Sequence, residues 1–320
     1  MLLPAPSGAG LDHMADRVIS VRGLRKSYGA LEAVRGIDLD VESRQIFAFL
    51  GPNGAGKTTT VEILEGYRER SAGDVRVLDV DPGRTGRDWR QRIGIVLQES
   101  RMHEELTVRD SLELFAGYYR APRGVDDTIE LVGLGKKADE RVGRLSGGQQ
   151  RRLDVALALI GDPELLFLDE PTTGFDPSAR RRAWEVIASL RELGKTIFLT
   201  THYMEEAQEL ADQVAIIAGG RIVAQGTPRD LSSRDGRVSR ISFRLPAGVA
   251  AEELPPGLAA TAGGADDLQI QAQDPVRALN ELTGWALARG VELAGLEVRQ
   301  PSLEDVYLEL TAAPQEEVGP

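Results

Sequence analysis

The sequence predicts an α/β protein carrying a small α+β appendage, on three observations. The segment IFAFL (46–50) precedes a Gly-rich loop, and LLFLDE (165–170) and TIFLTTH (196–202) are continuous apolar runs ending in polar residues, as suits central strands of a parallel sheet covered on both faces. Helical patterns separate these runs over Val18 to about Gly226, the alternation expected of layered α/β domains. Between about Glu99 and Gln150 the strand signals vanish and helices take over, which reads as a helical subdomain inserted in the core.

In chain order, residues 1–16 read as a disordered tail, with neither a basic start nor an apolar stretch suited to a secretory signal. Residues 17–231 form the α/β domain, with the helical subdomain at about 99–150 opening on TVRDSLELFAGYY, where Thr107 and Asp110 have capping-box spacing. After the polar linker SSRDGR, residues 232–312 make the appendage. It contains ISFRL, a loop rich in Pro, Gly and Ala, LQIQA, a helix over DPVRALNELTGWALARG, VELAGLEVR, and a last helix over SLEDVYLEL. Residues 313–320 read as a second disordered tail.

The chain has 320 residues, 42% of them hydrophobic and 28% charged, enough for one large and one small globular domain. A formal net charge of −12 opposes any function that neutralises many nucleic-acid phosphates. Cysteine is absent, which excludes disulfides, thiolate metal sites and a Cys nucleophile. No apolar run reaches the ~18 residues that a membrane-spanning helix needs.

GPNGAGKTT (51–59) fits the phosphate-loop pattern and lies where the physics requires, after a strand and before a helix. Its residues Gly51, Pro52, Asn53, Gly54, Ala55, Gly56, Lys57, Thr58 and Thr59 are candidate nucleotide contacts, since a glycine-rich turn lets successive N–H groups face phosphate oxygens. Lys57 would reach the β- and γ-phosphates, and the Thr58 hydroxyl would ligate Mg²⁺. Asp169 and Glu170 end an apolar strand at the edge where open α/β sheets bind ligands. Asp169 would hold Mg²⁺ through water, and Glu170 would act as general base on the attacking water. By the same placement, His202, which ends TIFLTTH, would come within reach of the γ-phosphate, and Gln98, which ends RIGIVLQ, could orient water and touch Mg²⁺; a structural His and a solvent-exposed Gln are the alternatives. Tyr28 suits adenine stacking or an ordinary structural role equally.

The order Tyr28, GPNGAGKTT, Gln98, LSGGQ, LLFLDE, GFD and His202 resembles the nucleotide-binding subunit of ATP-binding cassette (ABC) transporters over residues 18–230. The resemblance implies a P-loop NTPase core of ABC type, with ATP and Mg²⁺ as cofactors. Gly174, Phe175 and Asp176 match the family's D-loop, so the resemblance gives Asp176 a nucleotide-site role; Phe175 stands where Leu is usual. Ser146 and Gln149 have capping-box spacing, which makes LSGGQ a helix N-terminus with free N–H donors. The family adds that two subunits pair head to tail, so that Ser146, Gly147, Gly148 and Gln149 of one close over the γ-phosphate bound by the other. A further departure is Arg44–Gln45, where many relatives have Gly-Glu before the strand.

The ending PSLEDVYLEL resembles ATPases of type 2 ABC exporters, including the daunorubicin-resistance kind. That implies a homodimer, or a pair of ATPase subunits, driving a separate integral membrane permease from the cytoplasmic face of the cell membrane, with no nucleic acid involved. The alternatives are a DNA-maintenance ATPase and a soluble ABC-type ATPase without a permease. The first lacks the heptad-rich insertion it would need within 59–144, and ribosomal members of the second usually carry two cassettes in one chain, where this sequence has one.

Overall fold

The computed structural model describes residues 17–97, 103–233, 239–246, 248–264, 267–299 and 302–312. Gln98, both expected tails and most of the SSRDGR linker lie outside the described residues. The rest divides into two compact units, one ending at Thr227 and one spanning Pro228–Ala312.

The first unit opens with the long strands β1 (Arg17–Tyr28) and β2 (Leu31–Glu42), followed by β3 (Ile46–Leu50), α1 (Lys57–Leu64) and β4 (Ala72–Val77). Next come α2 (Arg87–Arg90), β5 (Ile93–Val96), α3 (Val108–Ala116), α4 (Val125–Leu131) and α5 (Gly147–Leu159). It closes with β6 (Leu165–Asp169), α6 (Pro177–Glu192), β7 (Thr196–Thr201), α7 (Met204–Leu210), β8 (Gln213–Ala218) and β9 (Arg221–Gly226). Strands β2-β1-β4 form an antiparallel sheet, and β5-β6-β7-β3-β8-β9 form a second sheet, parallel except for the edge strand β9.

The period-2 alternation of side chains splits the parallel sheet into two buried faces. Phe47, Phe49, Phe167 and Phe198 lie on one face, the first three with ring centroids 5.5–5.7 Å from that of Phe198, and pack with Ile19, Val21, Leu39 and Val41 of the antiparallel sheet. Ile46, Leu166, Leu168, Ile197 and Leu199 lie on the other face and pack with Leu153 and Ala156 of α5 and with Trp184 and Ile187 of α6. Burial on both faces explains why these strands read as unbroken apolar runs.

The register brings the strand ends together. Leu50 pairs with Thr201, Asp169 with Thr200, and Val96 with Leu168. The phosphate loop, Asp169–Glu170 and His202 therefore leave the sheet at one edge.

In the second unit, α8 (Pro228–Ser233) and β10 (Ser239–Arg244) precede β11 (Ala260–Gly264), β12 (Asp267–Ala272), α9 (Pro275–Arg289), β13 (Ala294–Arg299) and α10 (Leu303–Ala312). The strands form an antiparallel sheet in the order β11-β12-β10-β13. Ile241, Phe243 and Ile270 of this sheet pack on Ala278 and Leu282 of α9. The sequence puts the boundary near Ser232, whereas the unit begins at Pro228, because α8 packs against α10 and goes with it. Strand β11, sequence ATAGG, falls where the sequence suggests only a loop; its small residues have little β-propensity, and its backbone pairing with β12 makes it a strand.

Candidate functional site: a phosphate loop with a carboxylate–histidine pair

The loop between β3 and α1 owes its shape to its glycines. Gly56 has φ 104° and caps α1, and a Cβ there would meet the Ala33 carbonyl at 2.6 Å. A side chain is thus barred both by conformation and by space. Lys57 is buried, and its ammonium donates to the Gly51 carbonyl at 2.6 Å and the Pro52 carbonyl at 3.1 Å. Burial lowers its pKa, opposed by the nearby Glu170 and Asp169 carboxylates. The loop and the strand-end acids therefore share one electrostatic neighbourhood. Thr60 turns its hydroxyl back onto the Gly56 carbonyl at 2.8 Å, while Thr58 stays exposed and makes no side-chain hydrogen bond among the described residues.

Asp169 accepts a hydrogen bond from the Thr200 hydroxyl of the adjacent strand. Glu170 follows with φ 46°, a left-handed conformation that costs a non-glycine residue about 1–2 kcal/mol. Its backbone N–H donates to the Thr200 carbonyl at 3.0 Å and the Thr200 hydroxyl at 3.2 Å, which pins the turn. Strain held this way at a strand tip is a mark of a working site. The Glu170 carboxylate accepts from the Thr173 hydroxyl at 3.1 Å and meets His202 Nδ1 at 3.3 Å. His202 also lies against the Tyr203 ring, centroid to centroid 4.1 Å.

Ser146 caps α5 with both bonds of a capping box: its N–H donates to Gln149 Oε1 at 2.9 Å, and the Gln149 N–H donates to Ser146 Oγ at 3.4 Å. Gly147 and Gly148 occupy the first helical positions, and neither has a positive φ. A Cβ on Gly147 would meet nothing within 4 Å, and one on Gly148 only the Ala179 side chain at 3.8 Å and Phe175 at 4.0 Å. The chain's own packing gives no reason for either glycine. Alanine would suit each helical position better by about 1 kcal/mol.

Tyr28 stands at the end of β1, 40% exposed, with the Lys26 ammonium 5.1 Å and the Arg68 guanidinium 5.4 Å from its ring centroid. Asp176 serves as the N-cap of α6, accepting from the Ser178 and Ala179 N–H groups at 2.9 Å. Thr200, Thr173 and Arg151 were not foreseen from the sequence. Thr200 has a weak signal in the polar ending of TIFLTTH, and Arg151 one in its place just after LSGGQQ.

Residues 34–173 match the family model described as ABC transporter, and residues 239–302 match a second one, ABC transporter domain-containing protein-like, C-terminal domain. A daunorubicin resistance ATP-binding protein of Streptomyces coeruleorubidus is 39% identical over 310 residues, 93% of this chain and 97% of that protein. The chain belongs to the ABC transporter family. Its cassette also resembles the Nod factor export ATP-binding protein I of Ralstonia nicotianae, 38% identical over 96% of this chain and 97% of that one. Among solved structures, cbiO1 of Clostridium perfringens, part of the ABC transporter complex cbiONQ, superposes on the cassette with a TM-score of 0.63 and 27% identity, covering 68% of this chain and 92% of that one. The ATP-binding cassette MJ0796, in a dimeric post-hydrolysis state bound to ADP and Pi, shares the fold at a TM-score of 0.59 and 22% identity, covering 65% of this chain and 98% of that one. The cassette is thus an ABC ATPase, an ATP-binding subunit with an α/β P-loop fold and an added C-terminal domain.

Proposed function

We propose that two copies of the cassette pair head to tail around two ATP–Mg²⁺ and use hydrolysis to power export through a separate membrane permease. The observation that carries this reading is the pair of open glycines at 147 and 148, on a capped helix terminus whose N–H groups attract anions. Clearance that the chain itself does not need suits a phosphate brought by a second copy.

In that pair, the loop from Gly51 to Thr59 cradles the phosphates, and Tyr28 stacks on adenine. Lys57 neutralises the β- and γ-phosphates. Thr58 and Asp169 are hard oxygen donors at one sheet edge, which fits magnesium carried in on the nucleotide. Glu170 takes the proton from the attacking water, and His202 holds the Glu170 carboxylate in place. Gln98, which lies outside the described residues, would orient the water and touch the metal. Asp176, the α6 cap, borders the nucleotide near the start of α5. Because ATP binds the closed pair better than the open one, binding closes it and product release reopens it.

The relatives named for daunorubicin resistance and Nod factor export support export of a drug or lipid-like molecule, and on this reading a permease holds the cassette at the cytoplasmic face of the cell membrane. No helix among the described residues is long and apolar enough to cross a membrane. Mixing a Ser146→Ala chain with a Lys57→Ala chain tests the composite sites. Each variant alone is expected to be inactive, and the mixture to recover hydrolysis, because one mixed pair assembles one intact site. Mixed pairs that form without recovering activity would overturn the reading.

A further inference from the structure

Arg151 and Arg152 follow the Ser146–Gln149 cap after Gln150 and reach different partners. Arg152 donates to the Val132 and Gly133 carbonyls at 3.3 and 2.9 Å, tying α5 to the end of α4. Arg151 goes to the strand ends instead. Its guanidinium donates to the Leu97 carbonyl after β5, to the Asp169 carbonyl at 2.6 Å, to the Pro171 carbonyl at 3.2 Å and, at 3.4 Å, to the Glu170 carbonyl. Asp154, one turn further along α5, adds an ion pair at 3.7 Å.

The side chain is only 11% exposed, and burial lowers its pKa against the pull of Asp154 and Asp169. A buried guanidinium is tolerated when its fixed fork of donors is satisfied, and here that fork spans two strand ends at once. Three of the carbonyls it holds, those of Asp169, Glu170 and Pro171, belong to the turn in which Glu170 takes φ 46°. A strained turn persists only when its surroundings over-determine it, and Arg151 is one of the groups that do so.

We propose that Arg151 is a positioning residue that couples the two ATP sites of the paired cassette. In the head-to-tail reading, on which this rests, Ser146–Gly148 of a chain engage one nucleotide while Glu170 of the same chain acts on the other. Arg151 is a direct link between them: it stands on α5, next to the Ser146–Gln149 cap, and grips the Glu170 turn. Engagement of one phosphate fixes α5, and Arg151 carries that restraint to the carboxylate serving the opposite site.

The test is the ATP dependence of hydrolysis by the purified full chain and by its Arg151→Gln and Arg151→Lys variants. It is read beside the affinity for a non-hydrolysable ATP analogue and the circular dichroism melt. Wild type is expected to be cooperative, with a Hill coefficient above about 1.5, and Arg151→Gln to fall to about 1. The Gln variant is also expected to lose at least ~10-fold in kcat with analogue affinity within about threefold of wild type. Lys offers a point charge that cannot span both strand ends, so its Hill coefficient should fall as well; if the Gln variant does not fold, the Lys variant decides. A variant that folds and keeps wild-type cooperativity overturns the proposal, whatever its rate, and so does a non-cooperative wild type. Complementation between the Ser146 and Lys57 variants, run in parallel, separates the two readings. Its failure removes composite sites and the coupling together, whereas intact complementation with unchanged cooperativity removes only the role of Arg151.

Discussion

His202 Nδ1 stands 3.3 Å from Oε2 of Glu170, and the same oxygen accepts from the Thr173 hydroxyl at 3.1 Å. Two neighbours on one carboxylate oxygen fix its direction. His202→Ala removes one of them without disturbing the backbone bonds that hold Glu170. Hydrolysis is expected to fall by about 100- to 1,000-fold, within the range of a positioned acid–base group, while ATP affinity changes little. Steady-state rates set beside equilibrium ATP binding separate the two effects, and a matched loss of affinity would assign His202 to nucleotide binding instead.

Glu170→Gln keeps the shape of the side chain and leaves the N–H bonds to Thr200 in place. It removes only the capacity to take a proton. Turnover should drop at least ~100-fold with ATP still bound, and size-exclusion chromatography with ATP should show an accumulated dimer. Wild-type turnover in this variant would remove Glu170 from the role of base.

Glu65 is a buried acid that the catalytic reading does not use. It lines a groove of about 300 Å³ with Tyr67, Arg90, Phe115 and Tyr119, and burial, then Asp169 and Glu62, push its pKa from 4.5 up to about 8. Between those values the unfolded chain has released the proton and the folded chain still holds it. Folding stability from this group is therefore greatest in acid and declines as pH rises towards 8, by at most about 1.4 kcal/mol per pH unit. Glu65→Gln should be increasingly stabilising relative to wild type from about pH 5 to pH 8, as read by denaturant melts at each pH. A pH-independent difference would contradict the buried, protonated state.

Much of this was legible in the sequence because it follows from short-range chemistry. The apolar runs around Phe47, Phe167 and Phe198 announce a sheet covered on both faces, and the Ser146–Gln149 spacing gives the capping box before any coordinate is known. The hidden part depends on partners distant in sequence or on backbone shape. Nothing in LLFLDE says that Glu170 turns left-handed, because that conformation is fixed by Thr200 on the neighbouring strand. Arg151 reads as an ordinary helix-surface charge until the Leu97 and Asp169 carbonyls are placed beside it. The replacement of a common Gly by Arg44 has a similar answer. Arg44 adopts φ 61°, and its N–H donates to Thr196 Oγ1 at 2.9 Å, so the turn keeps its form without the glycine.

The central claim is that the glycines at the start of α5 make room for a phosphate from outside the chain. Gly147→Ala tests it most directly, since the added methyl meets nothing within 4 Å in the chain itself. Thermal unfolding of the variant without nucleotide should be unchanged or shifted upward, by up to about 1 kcal/mol of helix propensity. ATP hydrolysis measured on the same preparation should fall at least ~10-fold, as expected when a phosphate contact is held off. A variant at least as stable as wild type with wild-type hydrolysis would contradict the account.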